Sequence, residues 1–530
     1  MNTYLGQKGY TILKSELSIE KQKKIRNDLM IKPFVMGSPV NDMKTFPAYR
    51  ESANKFYVPH YYGIENYGAP KEYKISEGVD INLEFNGKLR DYQEPVVNKF
   101  ISHCLDVKYG GGLLELYCAW GKTSASLNII TQLKKKTLVI VHKEFLMNQW
   151  IERIEQFLPG ARVGKIQGPI IDIDNKDIVI GMLQSLSMKE YPASVFDSFG
   201  FTIIDEVHHI SSEVFSNALF KLVTKYMLGL SATMNRKDGT TPVFKMFLGD
   251  VIFKSKRDND RAVTVRAVEY YVDDDEFNEV KMDYRGNPQY STMISKLCEY
   301  SRRSEFILKV LTDMLKENPN QQVMILAHNK NLLKYLHDAI AHRNISTVGY
   351  YVGGMKESAL KETETKKVVI ATYAMASEAL DIKTLTTLIM ATPKTDIEQS
   401  VGRILREKHS SPIVVDIVDS HDLFKNQWRK RKTFYKKENY KIIYTISTNY
   451  NTDYSKWTLI YNPNQNGTKE CKPKECKPKK CKKVISHKSS SSSNKSIIND
   501  SEPEDDNEEP ELTTKKASKI EDDVCYLKIK

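Results

Sequence analysis

Short runs of consecutive apolar residues alternate along this chain with longer stretches whose apolar positions recur every three or four residues. The runs fall at 111–116, 137–142, 177–181, 201–205 and 226–230, and again at 322–327, 367–372 and 387–391. Helical patterns lie between them: one starting near Gly121, others over 144–157, 304–315 and 399–406. Residues 89–93 are expected to open a further amphipathic helix running toward His103. Strands that are apolar on both faces, separated by helices, predict parallel sheets with helices on both sides. The pattern occurs twice, so two tandem α/β units are expected. Ligands of such sheets bind at the carboxyl ends of the strands. Lys122, Asp205, Glu206 and Ser231 all fall at such ends.

Two of those ends carry candidate chemistry. Residues 110–123 read as a buried strand, a tight loop and a helix start closed by Gly121-Lys122-Thr123. Backbone N–H groups at a helix N-terminus suit a polyphosphate, a lysine reaches its terminal phosphates, and a hydroxyl ligates Mg²⁺. Lys122 and Thr123 fit those two roles. A glycine-bounded loop with a surface lysine gives the same triplet, and Leu116 stands where the full phosphate-loop pattern asks for a small residue. Asp205-Glu206 closes the fourth run. Paired carboxylates there suit phosphoryl transfer, Asp205 toward the metal and Glu206 toward the attacking water. An acidic helix N-terminus is the plainer reading of the same pair. His208 and His209 are adjacent, so they diverge and make a poor zinc pair.

Composition narrows the class. The 530 residues are 40% hydrophobic and 28% charged, ordinary for globular domains, with a net charge of +12 that favours a polyanionic partner. The seven cysteines show no disulfide framework. There is no apolar signal core at the N-terminus and no run of membrane-spanning length, so a soluble intracellular protein is expected.

With these motifs in order over residues 89–410, the chain resembles a superfamily 2 helicase of the DExH kind. Within that superfamily it is similar to the XPB-type branch and to helicases of large DNA viruses. The resemblance implies two tandem RecA-like domains with ATP and Mg²⁺ in the cleft between them and a strand of DNA or RNA lying across both. A viral setting would place it in the host cytoplasm or the virion. The resemblance makes Arg90 and Gln93 adenine readers. It puts Cys118, Ala119, Trp120, Gly121, Lys122, Thr123 and Ser124 around the phosphates and assigns Mg²⁺ to Thr123 and Asp205. It makes Lys122, Asp205, Glu206, Arg403 and Arg406 catalytic and faces Gln399 toward the nucleotide. His142, Lys143, Ser231, Thr233, Arg236, His328, Asn329 and Thr372 become nucleic-acid contacts. An arginine that forks onto phosphate oxygens from the second domain stabilises charge developing in the transition state. Three positions depart from the pattern. Ala119 and Ala379 stand where glycine is usual, and Lys237 replaces an acidic residue.

The expected layout is an accessory α+β module over 1–88, an ATP-binding domain over 89–255 and a connecting segment over 256–300. A second RecA-like domain follows over 301–440, then an extension over 441–466 and a low-complexity tail over 467–530. The tyrosines, Arg50 and Lys55 of the first module either pack inward or stack on bases. Trp428-Arg429-Lys430-Arg431-Lys432 with Phe434 and Tyr435 is a basic aromatic helix that either grips nucleic acid or is solvated. The tail, with basic and then acidic blocks, is expected to be disordered and to serve as an arm for transcription or repair proteins. Two functions remain open at this stage: an ATP-dependent helicase or translocase, and a nucleic-acid-binding scaffold with a weak ATPase, the latter motivated by Ala119 and Ala379.

Overall fold

The computed structural model describes residues 1–34, 45–106, 110–209, 212–234, 236, 238–255, 262–378, 382–405 and 412–463. Among them the strands form a five-stranded sheet near the N-terminus, two eight-stranded sheets and a two-stranded ribbon. The first large sheet runs in the order Ile170–Ile171, Val163–Gln167, Ile178–Met182, Thr137–Val141, Phe201–Ile204, Tyr226–Ser231, Gly111–Glu115 and Val251–Lys254. Its neighbours are parallel except at the Ile170–Ile171 edge. The second runs Val348–Tyr351, Val368–Thr372, Gln322–Ala327, Leu385–Met390, Ile413–Asp419, Thr264–Tyr270, Lys441–Ile446 and Thr458–Tyr461, and only the last strand is antiparallel.

The continuous apolar runs follow from burial on both faces. Successive strand residues point to opposite sides. Accordingly Val139 and Val141 join one core cluster of the first sheet while Leu138 and Ile140 join the other. The second sheet repeats this, with Val323 and Ile325 on one face and Met324 and Leu326 on the other.

The second sheet reaches beyond the 301–440 range expected for it. Thr264–Tyr270, placed in a connecting segment, is an interior strand between Ile413–Asp419 and Lys441–Ile446, and the extension supplies two more strands. Arg266 and Glu269 hide this strand in the sequence by interrupting its apolar run. Both are internally paired. The Arg266 guanidinium forks onto Glu317 at 2.6 and 2.7 Å and lies 3.7 Å from the centre of the Tyr454 ring. Glu269 pairs with Lys425 at 2.9 Å and accepts from the Tyr444 hydroxyl.

Of the other expectations two change, and the open choice for the first module's tyrosines falls to inward packing at Tyr61 and Tyr62. The helix after residues 89–93 starts at Glu94, and 89–93 is a turn; Pro95 sits in the first helical turn, where its missing N–H does no harm. Tyr10, Phe56, Tyr61 and Tyr62 of the N-terminal module face its own core. That module's sheet ends at Lys74, and Val79 and Ile81 bond to Ser198 and Lys134 of the first large domain. The basic aromatic helix, Asp422–Lys437, buries Trp428, Arg431 and Tyr435 instead of offering them to a ligand. Residues 467–530 lie outside the described residues, as do Ala379, Lys237 and Arg406.

The central strand Ile413–Asp419 holds two buried acids. Asp416 takes a forked Arg431 at 2.8 and 2.9 Å and a Tyr435 hydroxyl at 3.0 Å. Asp419 takes a forked Arg303 at 2.6 and 2.8 Å with both side chains wholly buried, and Arg303 also donates to the Ala391 carbonyl at 2.8 Å. Removing one partner of such a pair strands a buried charge. Asp419→Ala should therefore cost about 3–5 kcal/mol of stability by urea denaturation. A doubly apolar Arg303→Met, Asp419→Leu variant should recover much of that loss.

Candidate nucleotide-binding site

The Gly111–Glu115 strand leads into a loop that ends at the Lys122–Leu133 helix. Leu116 N–H still bonds the Ser231 carbonyl at 2.8 Å, which keeps the loop in line with the neighbouring strand. The chain then turns through two left-handed residues, Ala119 at φ 68° and Gly121 at φ 93°. No side chain caps the helix start. Its first N–H groups, which have no partners inside a helix, stay available to an anion. The residues expected to read adenine are fastened to this loop. The Gln93 side-chain nitrogen donates to the carbonyls of Trp120 and Gly121 at 3.0 and 3.3 Å, and Arg90 N–H donates to Gln93 Oε1 at 2.9 Å. The Tyr92 hydroxyl accepts from Arg90 at 2.6 Å, and its ring meets Trp120 edge-on at 5.5 Å. A Cβ at position 121 would stand 2.3 Å from Gln93 Nε2, so glycine is required there twice over, for space and for φ.

The acidic pair faces this loop. Asp205 is buried, and its two oxygens accept from Trp150 Nε1 at 2.9 Å and from the Glu206 backbone N–H at 3.0 Å. Burial and then the Glu206 charge push its pKa above the usual carboxylate value. Glu206 takes a left-handed φ of 48° and forms an ion pair with the Lys122 ammonium. Burial alone would lower the Lys122 pKa, but Glu206 and Asp205 outweigh it and hold the amine protonated.

From Glu206 the contacts continue across the cleft. Glu206 Oε2 lies 3.4 Å from His208 Nδ1. His208 Nδ1 is 2.6 Å from the Ser231 hydroxyl, and His208 Nε2 is 2.9 Å from the Gln399 side-chain nitrogen. An amide nitrogen only donates, so His208 Nε2 accepts and its proton sits on Nδ1. That proton goes to Ser231 Oγ, which in turn donates to the Thr233 carbonyl. Gln399 stands on the Glu398–Arg403 helix of the second sheet. A Cβ at Gly402 of that helix would come within 3.0 Å of the Cys118 side chain, so the absence of one lets the helix reach the phosphate loop. Arg403, on the same helix, is 7% exposed. Phe145 packs against cores of both domains, and Asn148–Glu357 and Lys361–Glu152 bridge the rim at 2.9 and 2.8 Å.

The expected nucleic-acid contacts divide. Lys143 stands at the start of the Glu144–Phe157 helix, and the preceding His142 is buried with its carbonyl accepting from Gln184 at 2.8 Å. Thr372 closes the Val368–Thr372 strand, where its hydroxyl accepts from Met375 N–H at 3.4 Å. Arg236 turns inward, to Asp238 and the His208 carbonyl, both at 2.6 Å. His328 bonds Thr392 Oγ1 at 2.9 Å and lies 4.7 Å from the Tyr373 ring centre; burial and then Lys394 push its pKa down to about 3. Asn329 spends its side-chain oxygen capping the next helix through Asn331 N–H at 2.7 Å. Trp150 as the clamp on Asp205, His208 as the link to Gln399, and Gly402 as the point of close approach were not singled out from sequence. The resemblance includes His208 as the last residue of the DExH box but gives it no partner in the second domain, and no group of three or more His/Cys/Asp/Glu residues able to hold a metal occurs among the described residues.

Residues 86–236 match the family model described as "Type III restriction enzyme, res subunit". The chain is 34% identical over 472 residues to the "Putative ATP-dependent RNA helicase L396" of Acanthamoeba polyphaga mimivirus, which covers 86% of this chain and 90% of that protein. It is 28% identical to the "Putative ATP-dependent RNA helicase QP509L" of African swine fever virus, isolate Tick/South Africa/Pretoriuskop Pr4/1996, across 73% of this chain and 80% of the relative. The "Putative helicase 161L" of Invertebrate iridescent virus 6 matches at 27% over 68% of this chain and 85% of the relative. Among solved structures, that of T4 UvsW covers 81% of this chain and 96% of its own at 16% identity, with a TM-score of 0.32.

Ala119 holds a conformation that costs an L-residue about 1–2 kcal/mol. Ala119→Gly should therefore cause no loss of stability and up to about 1 kcal/mol of gain, whereas Ala125→Gly in the following helix should lose about 1 kcal/mol. Denaturant midpoints of the two variants check this. The depressed His328 also sets a pH dependence. Its ring stays neutral in the fold down to about pH 3, while an unfolded histidine takes a proton below about 6.5. Stability is complete above 6.5 and falls on acidification, by up to about 1.4 kcal/mol per pH unit for each such histidine. His60, pushed down to about 4 by burial, acts in the same direction. His328→Gln should flatten, without abolishing, the loss of stability between pH 7 and pH 5.

Proposed function

The chain belongs to the family of ATP-dependent helicases of large DNA viruses, and from that premise we propose how its residues work. It is an ATP-using nucleic-acid helicase. The observation that carries the proposed mechanism is the connected series Lys122–Glu206–His208–Gln399, which runs from the phosphate loop to the second domain.

ATP docks with its phosphates on the uncapped start of the Lys122–Leu133 helix and its base beside Arg90 and Gln93. Lys122 exchanges Glu206 for the β- and γ-phosphates. Glu206, released from that pair, orients and deprotonates the attacking water. Thr123 and Asp205 would hold Mg²⁺, which would supply positive charge against the phosphates. This fits the chemistry of the donors: one carboxylate and one hydroxyl suffice for an ion that takes its remaining ligands from substrate and water. A cation there also offsets the burial and like charge that raise the Asp205 pKa. Arg403 approaches the γ-phosphate from the second domain, with Arg406 as its partner.

Release of Glu206 from Lys122 alters the carboxylate beside His208, and His208 reports it to Gln399 and Ser231. The second domain then shifts against the first, and a single strand resting along the carboxyl edges of both sheets, near Lys143 and Thr372, is drawn along. The mimivirus and swine fever virus relatives are named for RNA, which makes RNA the first strand to test. Transcription or repair is the setting that the XPB-type resemblance implies.

Phosphate release measured with and without single-stranded and duplex RNA and DNA tests this reading; a rate that no nucleic acid changes would refute coupling to the strand. Two variants separate the halves of the site. Glu206→Gln should slow hydrolysis by about 10²- to 10⁴-fold while keeping ATP-dependent strand binding. Arg403→Ala should slow it by about 10³- to 10⁵-fold and lose the ATP-dependent gain in strand affinity. Equal strand binding by both variants would show that Arg403 does not join nucleotide to closure.

A further inference from the structure

The segment between the Thr264–Tyr270 strand and the Ser301–Glu317 helix has no part in the site above. Both of its ends are fixed at the carboxyl edge of the second sheet. The strand ends there, with Tyr270 opposite Asp419, and the helix starts there, with Arg303 bonded to Asp419 and to the Ala391 carbonyl. Tyr290 ties the middle of the segment to the same edge by donating to the Pro393 carbonyl at 3.3 Å. Thr372 ends its strand at that edge, four strands away, or about 19 Å at the usual strand spacing.

From this edge projects a small hairpin. Met282 and Pro288 form an antiparallel bridge, Gln289 N–H bonds the Lys281 carbonyl at 2.8 Å, and Asp283 N–H bonds the Asn287 carbonyl at 2.7 Å. The Asp283 carboxylate ties the turn from inside, accepting from the N–H groups of Arg285 and Asn287 at 2.8 Å each, and Gly286 supplies the left-handed residue at φ 78°. At the tip the Tyr284 ring is 88% exposed, with the Arg285 guanidinium 5.0 Å from its centre. Met282 below it is 53% exposed.

A tied turn that holds an aromatic ring and a guanidinium in water spares binding the cost of ordering its backbone. Flat π-faces flanked by arginine are what bases stack on, whatever their sequence. Phosphates are a poor match here. Asp273, Asp274, Asp275 and Glu276 precede the hairpin, and Lys281 is already paired with Glu279 at 2.6 Å. We propose that Tyr284, backed by Arg285 on the 282–288 hairpin, is a base-stacking contact for the translocated strand at the carboxyl edge of the second domain. The proposal rests on the strand path given above.

The full-length protein is titrated with a fluorescently labelled single strand, as RNA and as DNA, and with a strand of the same length whose central nucleotides lack bases. Tyr284→Ala should weaken binding to the intact strands by about 5- to 150-fold, and Tyr284→Phe should restore it. The slope of affinity against salt should not change, since the ring neutralises no phosphate. On the base-free strand Tyr284→Ala and wild type should bind alike. Wild-type affinity of Tyr284→Ala for intact strands would overturn the proposal, and so would a loss that persists on the base-free strand. Thr372→Ala is measured in parallel. If it weakens binding and Tyr284→Ala does not, the tip is refuted and the strand path survives; if neither weakens binding, the path itself is refuted and the tip with it.

Discussion

Lys122 and Glu206 carry opposite charges in a cleft where water is scarce, with side chains only 13% and 20% exposed. Neither can be left alone there at low cost, because an unpaired buried charge is worth several kcal/mol. Each therefore holds the other until something better arrives. In the proposed function that is a triphosphate, which brings more negative charge and more acceptor oxygens than one carboxylate. The carboxylate then needs a new partner, and within its reach are water and His208. The same shortage of water that creates the pair thus makes its exchange consequential, since the displaced group must act on a neighbour.

The parallel sheets make that neighbour available. All the strands of the first sheet that lead into the site run the same way, so Glu115, Ile204 and Ser231 end at one edge and deliver the phosphate loop, the acids and Ser231 together. The second sheet does the same for Thr372 and for the segment leading to Gln399 and Arg403. Trp150 then locks Asp205 in place from the helix behind it. The geometry needs no unusual local structure beyond two left-handed residues in the loop and one at Glu206.

The sequence revealed most where burial is complete and least where polar groups are buried in pairs. The strands at 137–141, 201–204 and 322–327 stand out because every position but Gln322 is apolar or small. Thr264–Tyr270 does not, because Arg266 and Glu269 look like surface residues until Glu317, Tyr454, Lys425 and Tyr444 are seen around them. Trp428, Arg431 and Tyr435 mislead in the same way: a basic aromatic helix looks ready for nucleic acid, yet the helix folds back on the strand before it, where Asp416 neutralises the arginine. In the site, the phosphate loop and the acid pair were legible as local text. The hydrogen bond from Gln399 to His208 joins residues 191 apart and belongs to tertiary structure alone.

The contacts that close the cleft are weak ones, and this bears on how a motor can work. The Lys361–Glu152 pair is more than half exposed on both sides, and exposed pairs of this kind contribute about 0–1 kcal/mol. The Asn148–Glu357 and Gln399–His208 hydrogen bonds add on the order of 1 kcal/mol each at most. Phe145 is only partly buried between the two cores, so its contribution stays below the roughly 1.5–3 kcal/mol of a fully buried side chain. These named contacts together contribute a few kcal/mol, comparable to what loss of an ion pair or a charge-assisted hydrogen bond can reverse. Within each domain the holding terms are of another order: continuous two-faced cores, and in the second domain also the Arg303–Asp419 and Arg431–Asp416 pairs. A molecule built this way keeps its two halves rigid while the surface between them stays reversible. In the proposed mechanism, one exchange of partners at Lys122 is then large enough to open or close it.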